Sequence, residues 1–132
     1  MRKIGFYLLV GFYILAGVNH FVNPSFYIPL IPPYFVFPEG INYLSGAIEI
    51  ILGVLLIPEK TRLMSTYFLV AMLLAFIPSH IWMIQAGGCF EGSLCVPVWV
   101  GWVRLIIVHP LLIWWVLAYR NYLSKYDRNF SV

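Results

Sequence analysis

Charge is scarce in this chain. Lys and Arg total 8, Asp and Glu total 5, and charged positions make up 10% of 132 residues. A soluble domain carries about 25%. With 62% of its residues hydrophobic, a chain of this length has no core large enough to hide its apolar surface, so lipid must be the solvent for much of it. Other absences narrow the function. There is no Gly-rich phosphate loop, no nucleophile elbow and no dinucleotide fingerprint. There is no long linker, low-complexity run or repeat, so the chain reads as one domain over 1–132. The net charge of +3 is not a nucleic-acid footprint, because its position along the chain has another explanation.

Apolar stretches over 4–22, 41–57, 63–86 and 96–119 predict four transmembrane helices. The fold class expected is therefore an all-α membrane protein, a four-helix bundle. Arg2 and Lys3 resemble the start of a signal peptide. The apolar run behind them is too long and lacks a small-x-small cleavage site, so it is expected to stay as a helix. The remaining loop cations are Lys60, Arg62, Arg120, Lys125 and Arg128. All fall on one side of a four-span topology, which makes that side, and both termini, cytoplasmic.

The two outer connections then acquire roles. Positions 23–40 hold Pro24, Pro29, Pro32, Pro33 and Pro38, which forbid one regular helix. The segment is apolar and aromatic, so it serves either as an interfacial anchor or as a lid over a cavity. Positions 87–97 hold both cysteines. On the outer, oxidising side Cys89 and Cys95 are expected to form a disulfide, either a structural staple or a redox-active pair. The tight Cys-x-x-Cys spacing of catalytic pairs is missing.

Ionisable groups inside apolar segments are costly and tend to mark function. Glu49 stands alone in INYLSGAIEIILGVLLI, about 12 Å in from its outer start, and His80 is about 9 Å in from the outer end of the third segment. With His20, Arg104 and His109 they form a polar layer in the outer half. Gly46, Glu49 and Gly53 share one helix face, as do Tyr13, Gly17 and His20. His109 lies about 140° around a regular helix from Arg104, so it ranks last unless Pro110 distorts that helix. Two kinds of role are open. Glu49 could simply pair with Arg104 and pin two helices, and His20 and His80 could be capped by a backbone carbonyl or by Asn19 and Ser79. Alternatively, Glu49 and His80 exchange protons with a ligand headgroup, while His20, Arg104, Asn19, Ser45, Ser79 and His109 bind it. A metal on His20, Glu49 and His80 is a weaker alternative, since no His-x-x-x-His or Glu-x-x-His pair presets two ligands.

Several blocks resemble the DoxX-like family of small four-helix membrane proteins. They are AGVNHF at 16–21, the Pro-Tyr-rich loop ending in FPEG, SGAIEI at 45–50 with Gly53, Thr61–Arg62, IPSHI at 77–81, and Arg104. The resemblance implies a bacterial inner-membrane, multi-pass protein, similar to subunits of quinone-linked redox complexes or to receptor chaperones. The functional expectation is an oxidoreductase component that binds a quinone or similar apolar ligand, with a redox or membrane-complex partner and a possible oligomer. A non-catalytic assembly subunit and a thiol-redox protein are the rivals.

Overall fold

The computed structural model describes residues 2–90 and 95–122. Lys125 and Arg128 of the basic C-terminal cluster, and positions 91–94 of the Cys loop, lie outside them. The described residues are mostly helical and form no strand. Helix α1 is Arg2–Val22 and the one-turn α2 is Pro24–Tyr27, followed by a 3-10 turn at Ile28–Leu30. Then come α3 (Pro38–Leu55), α4 (Glu59–Ala75), α5 (Ile77–Gln85), α6 (Val98–Val103), a π turn at Arg104–Val108, and α7 (His109–Ala118). In space α4 with α5, and α6 with α7, each make one long broken rod.

Three rods are long and apolar enough to cross a membrane: Lys3–Val22, Glu59–Gln85 and Val98–Ala118. The expected fourth span is not among them. Helix α3 has the length, but Glu39, Asn42 and Glu49 interrupt its apolar sequence. The prolines of 23–40 do not exclude helix altogether. Pro24 and Pro38 start helices, where a missing N–H costs nothing.

The α1–α3 pair is the structural centre. Phe6, Leu9, Val10, Tyr13, Gly17 and His20 recur at three- and four-residue spacing along α1 and are all buried. They face Asn42, Gly46, Glu49, Leu52 and Gly53 of α3, also buried. A Cβ on Gly46 would lie 2.6 Å from the His20 Cβ and 2.8 Å from the Gly17 carbonyl oxygen, and one on Gly17 would lie 2.6 Å from the Gly46 carbonyl oxygen. Only hydrogen fits at this crossing.

One half of the molecule is a closed apolar core of Phe6, Leu9, Val10, Tyr13, Leu52, Leu56, Leu69 and Val116. At its end the α3–α4 turn is capped from α4. Ser65 Oγ donates to the Leu52 carbonyl (2.5 Å), Thr61 Oγ1 to Leu55 (2.7 Å), Arg62 Nε to Leu56 (2.8 Å) and Arg62 Nη2 to Ile57 (2.5 Å). Carbonyls at and just past the end of α3, where the helix ladder runs out, thus find donors on α4. Arg62 was expected to be a loop charge. It is instead 2% exposed, in the first turn of α4, with its guanidinium 4.9 Å from the Phe6 ring centroid. The half of the molecule away from the expected polar layer therefore holds a buried ionisable group as well.

At the opposite end α5 closes on Gly87 and Gly88, both at positive φ, with the Gly88 N–H bonded to the Met83 carbonyl. Cys89 and Cys95 follow and are joined by a disulfide.

Candidate functional site

The other half of the molecule is hollow. A cavity of about 770 Å³ lies between α1, α3, the α4–α5 junction and the π turn, with the Pro-rich segment along one side. Glu49, His80, His20, Arg104, Asn19, Ser45, Ser79 and His109 all line it. The rest of the wall is apolar, with Phe12, Leu30, Ile31, Phe35, Phe76 and Leu112 contributing.

On the α1–α3 side, Asn42 organises the site. Its Nδ2 donates to the His20 carbonyl (2.9 Å). That leaves its Oδ1 as an acceptor, so His20 Nδ1 is the donor across the 2.7 Å contact between them. The opposite ring nitrogen, His20 Nε2, points at Glu49 Oε2, 3.7 Å away. This is within ion-pair range when the His20 ring carries both protons, and too long for a hydrogen bond. Tyr27 stacks on the His20 ring at 3.7 Å between centroids, and its hydroxyl accepts from Asn19 Nδ2 (2.9 Å). Glu49 Oε2 and the Tyr13 hydroxyl are both buried, and neither finds a hydrogen-bond partner among the described residues.

Two proline breaks build the other side. Pro78 lacks the N–H that would continue α4 smoothly, and the rod bends at Phe76. Pro110 removes a donor midway along the last rod, and the chain answers with the π turn, in which the His109 N–H reaches the Arg104 carbonyl. The wider turn brings His109 towards the face of Arg104, which a regular helix would not do. His109 Nε2 then donates to the Leu73 carbonyl (2.5 Å), and His109 Nδ1 meets His80 Nε2 at 3.1 Å. His109, ranked last from the sequence, is 5% exposed at the centre of this cluster.

Several expected partnerships are replaced. Glu49 faces His20, not Arg104. Among the described residues Arg104 reaches the Met83 sulfur, at 3.9 Å. His20 is held by Asn42 rather than Asn19, and His80 by His109 rather than Ser79. Among the described residues no group of three or more His, Cys, Asp or Glu side chains is placed to hold a metal, so His20, Glu49 and His80 do not assemble as a ligand set. Asn42 was missed, although it lies about two turns before Glu49 on the Gly46–Gly53 face. The Pro-rich segment contributes Tyr27, Leu30, Ile31 and Phe35 to the wall. The Trp82 indole N–H, donating to the Pro29 carbonyl (3.2 Å), ties it to α5.

No curated protein and no solved structure matches this chain. The resemblance to the DoxX-like family is overturned by the family model that does match, which is a different one. The blocks behind that resemblance are short. Gly-x-x-Glu in an apolar helix, or a proline shortly before a polar residue, answers to packing needs that unrelated membrane-type helices share. The matching model covers residues 9–120, and the chain belongs to the family described as Domain of unknown function (DUF8561).

Proposed function

We propose that this chain is a multi-pass protein of a bacterial cell membrane that binds a quinone-class ligand in its cavity, as one component of a membrane oxidoreductase. The observation that carries the reading is the composition of the cavity: apolar and aromatic walls meet the His20–Glu49 and His80–His109 pairs and Arg104 in one space. Its volume falls in the roughly 300–1,000 Å³ range of small-ligand sites. A quinone ring and the start of its tail match the walls. Its oxygens need hydrogen-bond partners, and its redox chemistry moves protons along with electrons. Glu49 and His80 are the proton-exchanging groups on this reading, and Arg104 and His20 orient the head. Glu49 and Tyr13 both line the cavity, and Glu49 Oε2 and the Tyr13 hydroxyl are left without hydrogen-bond partners among the described residues. Electrons pass to or from a redox partner in the same membrane.

In this proposal α3 is a fourth crossing whose polar face is covered by α1 and the cavity, and both termini are cytoplasmic. Reporter fusions after Tyr122 and near Gly87 test the topology. The expected result is a cytoplasmic signal from the first and an external one from the second; the reverse pattern contradicts it.

A second reading, an assembly subunit without chemistry of its own, draws on the apolar outer face of α4, where Tyr67 and Phe68 are more than half exposed. Mass spectrometry of organic extracts from gently purified protein separates the two. A bound quinone at near one per chain is expected. A stoichiometric protein partner with no bound small molecule would favour the assembly role.

A further inference from the structure

The hydrogen bonds of the His80–His109 pair fix which nitrogens carry protons. Leu73 offers only a carbonyl, so His109 Nε2 must be protonated to donate to it. A neutral His109 then has a bare Nδ1, which can only accept. The contact from His80 Nε2 at 3.1 Å must therefore be donated by His80. A neutral His80 that has its proton on Nε2 has none on Nδ1. That nitrogen has no hydrogen-bond partner among the described residues, and His80 lines the cavity. The tautomers follow from one backbone carbonyl at a proline-broken helix end.

We infer that His80 Nδ1 is a hydrogen-bond acceptor presented to the cavity, and that the site selects a ligand carrying a hydroxyl there: the quinol in preference to the quinone. This rests on the quinone-class reading and sharpens it. A quinone carbonyl opposite Nδ1 would set two lone pairs against each other, whereas a quinol O–H donates into the ring nitrogen. Arg104, on the same wall and with no carboxylate partner among the described residues, supplies donors for the quinol oxygen's remaining lone pairs.

The test is equilibrium binding to detergent-purified protein, without oxygen, in mildly alkaline buffer. Three probes share one ring and tail: a decyl-substituted benzoquinol, its quinone and its dimethyl ether. The quinol should bind about tenfold more tightly than either of the others, the worth of one hydrogen bond made against one lone pair left facing another. His80→Phe, which keeps a flat ring without the acceptor, should reduce the preference to less than about threefold while all three still bind. A quinone that binds as tightly as the quinol overturns the inference and leaves the ligand class standing. A quinol preference that survives in His80→Phe also overturns it. If none of the probes binds the wild-type protein, the ligand class itself falls, and the inference with it. The comparison on wild-type protein decides the matter even if the variant does not fold.

Discussion

Gly46→Val is expected to drive α1 and α3 apart and abolish ligand binding. The new Cβ would stand 2.6 Å from the His20 Cβ and 2.8 Å from the Gly17 carbonyl oxygen, and neither is the flexible end of a side chain. Leaving glycine should help the helix, but by no more than about 1 kcal/mol. Overpacking costs about 1–3 kcal/mol. Forced separation also threatens the two Asn42–His20 hydrogen bonds, each worth about 1 kcal/mol. The penalties win, for a net loss of roughly 2–4 kcal/mol. Gly11→Ala is the matched control on α1. Its Cβ meets nothing within 4 Å, so its stability should stay level or rise by about 0.5–1 kcal/mol. Thermal melts in detergent report both. A Gly46→Val protein that melts with wild type would refute the close crossing.

Arg62→Met should be the most damaging change far from the cavity. The side chain is buried, and its two bonds cap the Leu56 and Ile57 carbonyls. Methionine fills the space and donates nothing, which leaves carbonyls at a helix end without partners at about 1–3 kcal/mol each. Stability should fall by roughly 3 kcal/mol. Arg62→Lys should recover only part of this, since an ammonium cannot reproduce the planar fork. Lys60→Met, two residues away and exposed, should change little. Ligand affinity in the folded fraction of Arg62→Met should be unchanged, because the site lies in the other half. Equal stability of Arg62→Met and Lys60→Met would contradict the capping role.

Much of this was legible in the sequence for one reason: an ionisable group in an apolar helix is expensive. That cost alone singled out His20, Glu49, His80 and Arg104, which the fold places around one cavity. Helical spacing also identified the Gly46–Glu49–Gly53 face. What could not be read were departures from regular helix. His109 looked misdirected because the π turn before it depends on the missing N–H of Pro110 and on a carbonyl some 36 positions away in sequence. Arg62 looked like a loop charge because its partners are backbone carbonyls, which have no sequence signature. Asn42 lies on the same face as Glu49, but an uncharged amide costs less in an apolar helix than a carboxylate and so stands out less. The DoxX-like resemblance failed differently: short blocks shaped by packing are shared across families.

The most direct test of the cavity reading is photoaffinity labelling with an azido-quinone of matching tail, followed by peptide mapping. Saturable labelling is expected in the segments that line the cavity, 27–35, 73–80 and 104–112, and it should be competed away by unlabelled quinol. Labelling confined to outward-facing positions such as Ile4 and Leu8 on α1, or labelling that never saturates, would contradict the assignment of this cavity as the ligand site.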